Sequence, residues 1–272
     1  MRIILDKLNK LNRFIARGFR RVGRTIALTG MIGVFALMPS SYRGENRAAI
    51  TRQLVVGNGQ NLLWFTVLCA LVSTVLIRIV VVTALSYGLS RFALEMVVRV
   101  LVLELIPLTA AVFVAIRCTL PDGIELSELR ARGALDRLRA SGIDPVQREA
   151  LPRVLAGAFL VPMLVALSCV TALVIAYLSI YGLTPWGFAG YTRVVGQVFS
   201  PAISIILVLK TVMLSLAVSL IPIASALYDG GSAAVGTPAY SRSKAARELA
   251  SMVRLFSVAL AIELVSLVGN YY

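Results

Sequence analysis

Histidine is absent from the 272 residues, which removes the side chain that most often serves as general base and metal ligand near neutral pH. A Ser-His-Asp triad is excluded with it, and no G-x-S-x-G elbow occurs to present a nucleophilic serine. A lysine-assisted serine is still allowed by the residue types. No G-x-x-x-x-G-K-[ST] loop occurs, and Gly123, Gly133 and Gly142 do not form a phosphate-cradling run. Cysteine is rare. Cys69, Cys118 and Cys169 are odd in number, lack metal-ligand spacing and fall in or at the ends of apolar runs, so they read as packing residues. Acidic residues number 13 against 27 Lys and Arg.

What is abundant is apolar surface. Apolar residues make up 58% of the chain and mean hydropathy is +0.86, well above an ordinary soluble domain. They fall in runs near the ~20 residues that a bilayer-spanning helix needs. The net charge of +14 would suggest nucleic acid in a soluble protein, but its placement has another cause. Eleven of the 27 Lys and Arg precede Leu54, 7 lie from Arg117 to Arg153 and 4 from Arg242 to Arg254, which leaves 5 elsewhere. Basic clusters between apolar runs are the positive-inside signature, which puts these three segments on the cytoplasmic side and argues against a nucleic-acid partner.

Along the chain, Ile4, Leu8, Leu11, Ile15, Phe19, Val22 and Ile26 recur at helical spacing. Lys7, Lys10, Arg13, Arg17, Arg20, Arg21 and Arg24 occupy the other face. Such a helix should lie in the headgroup plane against anionic lipid. A signal peptide lacks so long a charged stretch; a mitochondrial transit peptide shares the basic bias, but here the apolar segment Ile26 to Met38 continues the helix without a cleavage-like break. Residues 1–53 therefore read as an interfacial helix with its connector, and 54–272 as a membrane domain.

Five runs follow: Leu54 to Ile77, Val97 to Cys118, Val154 to Ile180, Ala202 to Leu227 and Met252 to Tyr271. The expected fold is all-α, with five transmembrane helices, the amino terminus inside and the carboxyl terminus outside. Gly57, Asn58, Gly59, Gln60 and Asn61 interrupt the first run, and polar groups at that depth need protein or water around them. Glu104 and Lys210 stand inside apolar runs, where an ionisable group is costly unless it meets a partner, a cavity or a substrate headgroup. Asn58, Gln60, Asn61, Glu104 and Lys210 are thus candidates for a polar path, against structural pairing or snorkelling as the plainer reading.

Between the second and third runs, Glu125 to Ser141 reads as a short cytoplasmic helix with Ala131, Leu135 and Leu138 on one face. Gly142 suits its C-cap; Asp144, Pro145 and Gln147 supply an N-cap, a first-turn proline and a capping-box-like partner for the next helix. Arg117 and Arg153 flank this hairpin, and positive-inside anchoring is their plain reading. Asp229 to Ser243, rich in Gly, Ala and Ser, reads as a flexible connection.

Within the stretch Glu104 to Leu164, the ordered series Glu104, Pro107, Arg117, Glu125, Asp144, Pro145, Pro152 and Arg153 resembles the MlaE/YrbE permease family of MCE-associated ABC transporters. Lys210-Thr211, the GGSAAVG segment from Gly230 to Gly236 and the RQL at Arg52 to Leu54 extend the resemblance over most of the chain. The chain departs from the family pattern at Leu103, Ile106, Gly133, Ala134 and Arg139, which suggests a divergent branch with its own cognate ATPase.

The resemblance implies a phospholipid permease in the inner membrane, working as a homodimer with two ABC ATPase subunits, a periplasmic MCE-domain oligomer and a small STAS-like subunit. It implies no cofactor on this chain, since ATP and Mg²⁺ would be held by the ATPase, and no enzymatic activity of its own. Glu125, Glu128, Leu129, Arg130, Leu135, Asp136 and Leu138 would couple the hairpin to that ATPase. Rival readings are a membrane-embedded lipid-modifying enzyme and a passive scaffold for an MCE complex.

Overall fold

The computed structural model describes residues 23, 25–35, 59–88, 90–228 and 238–271. The amphipathic stripe from Ile4 to Val22, and Asn58 with the rest of the connector, lie outside the described residues. The elements are α1 (Thr25–Phe35), α2 (Gly59–Ser86), α3 (Leu94–Ala131), α4 (Ala134–Ala140), α5 (Val146–Tyr181), α6 (Phe188–Val198), α7 (Pro201–Tyr228) and α8 (Pro238–Tyr271). Among the described residues there is no β-strand. Among the described residues, five helices are long and apolar enough to cross a membrane: Leu62–Ala84, Leu94–Ala131, Val146–Tyr181, Pro201–Tyr228 and Lys244–Asn270.

Two of these limits differ from the sequence expectation. The first apolar stretch runs past Ile77 to Ala84, and Gln60 and Asn61, whose backbone alone is described, lie in α2. The second span does not stop at Cys118 but runs unbroken into the hairpin as far as Ala131. Pro121 permits this because it follows a π-helical stretch, Ala115–Thr119, and takes a first-turn position in the helix that resumes at Leu120.

α3 is the centre of the bundle: 56% of its most apolar window is buried, against 22% for each of α2 and α8. α5 packs on α2 and α3, α7 packs on α5, α3 and α8, and α2 also packs on the start of α3. On α2, Leu63, Trp64, Leu68, Leu71, Val75 and Ile79 point outward, a surface that only lipid or another apolar partner would cover.

Two cores hold the bundle. The larger crosses it, with Ile77, Val98, Ile106, Val114, Leu164, Leu214 and Leu255 almost fully buried. The smaller sits at the hairpin end, where Leu28 and Ile32 of α1 join Leu126, Leu135, Leu151, Leu220 and Ile223. Backbones approach closely where glycine allows it: a Cβ on Gly157 would stand 2.8 Å from Thr119 Cγ2 and 3.1 Å from Ser219 Oγ, so α5, α3 and α7 meet there.

At the opposite end the chain turns after α5 and α6 folds back on it. Tyr191 donates to the Leu173 carbonyl at 2.8 Å and Tyr177 to the Thr184 carbonyl at 2.6 Å. Tyr177, Tyr181 and Tyr191 pack ring against ring, with centroids 5.2 to 6.3 Å apart. Burial, and then the neighbouring Tyr181, push the Tyr191 phenol up to about 12, so it remains a neutral donor.

Candidate functional site

Proline placement prepares the site. Pro107 has no N–H for the carbonyl four residues back, that of Leu103. The Lys210 ammonium of α7 donates to that carbonyl at 3.1 Å. Just before Pro107, Val98–Leu105 is a π-helical stretch, a wider turn often found at functional positions. Glu104 lies in this stretch and accepts from Lys210 through Oε2 and from Asn270 Nδ2 through Oε1 at 2.9 Å. Lys210 also donates to Glu263 Oε1 of α8 at 2.7 Å.

Three helices thus place one ammonium against two carboxylates. Lys210 is 3% exposed and Glu263 8%. Glu263 Oε2, Asn270 Oδ1 and Ser266 Oγ, all on α8, have no hydrogen-bond partner among the described residues. A purely structural ion pair needs one carboxylate per ammonium and satisfied acceptors. The second carboxylate and the unused acceptors leave the cluster able to bind a further donor group.

The sequence reading singled out Glu104 and Lys210, and the structure joins them. It missed Glu263 and Asn270. Glu263 is the acidic residue within the last apolar run, so the rule that selected Glu104 selects it too. Asn270, close to the end of the chain, gave no comparable signal.

The hairpin forms the second candidate region. The predicted helix Glu125 to Ser141 is broken: Ala131 ends α3, and Gly133, with φ of 71°, turns the chain into α4. Only glycine adopts that conformation without steric cost. α4 closes as anticipated, with Gly142 donating to the Arg139 carbonyl and Ile143 to that of Leu138, both at 3.0 Å, a Schellman end. Asp144 Oδ1 then accepts from the Val146 N–H at 2.9 Å and caps α5.

Few of the candidate coupling residues face outward. Leu135 is buried and Leu138 half-buried in the small core, which draws residues from α1, α3, α5 and α7 that local spacing cannot reveal. Glu128 is tied to Lys244 of α8 at 2.5 Å, and Arg130 donates to the Ala226 carbonyl of α7 at 3.3 Å. Glu125, exposed, reaches Arg153 of α5 at 3.2 Å. Arg153 is no surface anchor: its side chain is 10% exposed and it also binds Glu149 at 2.6 Å. The outward face carries Asp136 with Arg132, Arg137 and Arg139, while Leu129 is half-buried. α3 is therefore braced to all three spans that follow it.

A helical bundle with five candidate spans among the described residues, a charged cluster inside them and a capped hairpin at one end defines a multi-pass membrane protein. The family model described as Permease MlaE matches residues 50–262. The chain belongs to that family, the transmembrane permease subunits of ABC-type lipid transporters. No curated protein matches it.

Proposed function

We propose that this chain is the membrane half of an ATP-driven phospholipid transporter and that the Glu104–Lys210–Glu263–Asn270 cluster contacts the lipid headgroup on its path. One observation carries the reading: Glu104 and the first part of the hairpin, Glu125 to Ala131, belong to one continuous helix, α3. A push on the hairpin is then delivered along a rigid element to a cluster with a spare carboxylate oxygen. Two copies of the chain would pair, with an ABC ATPase subunit under each hairpin supplying ATP and Mg²⁺ chemistry, and an MCE-domain oligomer with a STAS-like subunit completing the assembly. The basic segments orient the hairpin and amino terminus toward the cytoplasm of an inner membrane and the carboxyl terminus toward the periplasm.

In this reading the ATPase meets the face bearing Asp136, Arg132, Arg137 and Arg139, with Glu125 beside it. Glu128, Arg130 and Leu135 act behind that face by holding α3 and α4 to the bundle. The test is reconstitution of the complex in liposomes with Glu263→Gln, which keeps shape and removes one charge. Assembly at the original level with slowed lipid transfer supports the reading. Unchanged transfer and unchanged lipid-stimulated ATP hydrolysis remove the cluster from the path.

A further inference from the structure

At the hairpin end, α3, α7 and α8 part around a cavity of about 740 Å³, within the size range of built ligand sites. Leu120, Ile124 and Met252 contribute apolar wall, and Arg130, Lys244 and Arg247 contribute cations. The hydroxyl protons nearby are already used: Ser127 donates to the Ile124 carbonyl and Ser225 to that of Ile221, each at 2.8 Å, and Ser251 donates to Ser225 at 3.2 Å. Donors for a guest must therefore come from the cations. Arg130 makes a single 3.3 Å bond to Ala226 and has five N–H groups. Glu248 is the carboxylate on the wall, and it lies 3.9 Å from Lys244.

The depth of the cavity narrows the guest. On α8 the cations Lys244, Arg247 and Arg254 all precede the apolar stretch that starts at Leu255, and Arg130 lies one residue before the end of α3, so the cations sit where hydrocarbon gives way to headgroups. With Lys244 tied to Glu128, Arg130 and Arg247 stand against Glu248 on the wall, and this excess of cation above an apolar wall matches an anionic amphiphile. The membrane cluster has the opposite balance, two carboxylates to one ammonium, and lies toward the other end of the bundle.

We infer that this cavity binds the headgroup of an anionic phospholipid from the leaflet at the hairpin end, its phosphate on Arg130 and Arg247 and its upper acyl carbons on Leu120, Ile124 and Met252. Naming that leaflet cytoplasmic rests on the orientation proposed above; the site itself does not. A lipid held there braces α3 against α8, parallel to the Glu128–Lys244 tie, and so sets how firmly the hairpin is fixed to the bundle.

The test uses the full chain in mild detergent and a fluorescent short-chain phosphatidylglycerol, read by anisotropy, with dihexanoyl phosphatidylglycerol as competitor. Arg247→Gln should weaken binding about tenfold, the scale of a lost charged hydrogen bond, and Arg247→Lys should restore part of it. Ala245→Phe, an exposed position on the cavity wall, should block entry without disturbing the fold, as checked by an unchanged melting temperature. Equal competition by dihexanoyl phosphatidylcholine would overturn the proposal, because the cations would then not read charge. Equal competition by inorganic phosphate would overturn it in favour of a free-phosphate site. Full affinity in both Arg247→Gln and Ala245→Phe sinks it outright. Loss in Glu263→Gln, with an unchanged melting temperature, but not in Arg247→Gln would move the lipid to the membrane cluster, overturning this inference and leaving the transport reading intact.

Discussion

Ser215 donates its hydroxyl to the Ala158 carbonyl at 2.6 Å, the carbonyl that Pro162, four residues on, cannot serve. Lys210 stands in the same relation to Leu103 and Pro107. In both places a proline opens one acceptor in a neighbouring span and α7 closes it. Inside a bilayer no water would do so, so α7 is held to α3 and α5 by bonds that the prolines create.

This relation is measurable as a coupling. Ser215→Ala should destabilise the permease in detergent by about 1 kcal/mol, typical of a hydrogen bond inside a membrane bundle. In a Pro162→Ala background the backbone N–H of residue 162 can take over, and the same change should cost much less. Reversible unfolding of the four proteins of this double-mutant cycle gives the answer; equal costs in both backgrounds would remove the link between proline and serine.

The membrane cluster makes a second prediction. Lys210→Met leaves two carboxylates facing each other, and an uncompensated buried charge costs roughly 3–5 kcal/mol, so folded yield should fall sharply. Adding Glu263→Gln to Lys210→Met removes one of the two charges and should recover much of that yield. Size-exclusion profiles of the single and double variants decide it: a double variant no better than the single would mean Glu263 is not part of the same electrostatic unit.

How much of this was readable beforehand depended on the range of the interactions. Five spans follow from run length alone, and Glu104 and Lys210 stood out because an apolar run makes a charge conspicuous. Their pairing joins residues far apart in sequence, and only packing could disclose it. Glu263 obeyed the same rule and was legible in principle. Asp144 and Gly142 were correctly read because caps are local. The break at Gly133 was not, because Arg132, Gly133 and Ala134 sit within a continuing helical stripe and one glycine inside a helix is tolerated. Leu135 and Leu138 suggested a partner-facing stripe; the small core that takes them in is built from helices distant in sequence, α1 more than a hundred residues upstream among them.

Close packing at Gly157 gives a third prediction. Gly157→Ala would bring a methyl to 2.8 Å from Thr119 Cγ2, and such overpacking costs about 1–3 kcal/mol. Thr119→Ser removes the opposing methyl and should relieve most of the loss. Melting temperatures in one detergent are sufficient; no rescue by Thr119→Ser would place the strain at Ser219 instead.

A fourth prediction concerns the outward hairpin face. Reversal of Arg132, Arg137 and Arg139 to Glu alters side chains that are exposed, so the permease itself should remain stable within about 0.5 kcal/mol per site. Copurification of the ATPase should fall at least tenfold if this face is its seat. Retention of the ATPase by the triple variant, with loss on reversal of Glu125 alone, would shift the seat toward the start of the hairpin.

The last prediction separates the brace from the seat. Glu128 and Lys244 lie on different helices, 2.5 Å apart, and partly exposed pairs of this kind contribute roughly 0.2–1 kcal/mol. Glu128→Lys or Lys244→Glu alone sets like charges in contact and should loosen α3 from α8. The expected result is futile ATP hydrolysis, with lipid moved per ATP reduced several-fold while the ATPase stays bound, because the hairpin's outward face is untouched. The swapped protein, carrying Glu128→Lys and Lys244→Glu together, restores opposite charges and should restore transport per ATP in reconstituted liposomes. If the swap transports no better than either single variant, Glu128 acts through the ATPase surface and not through α8. If both single variants transport normally, the tie carries no coupling, and the push must pass from α4 to α3 through Leu135 and Leu126 of the small core.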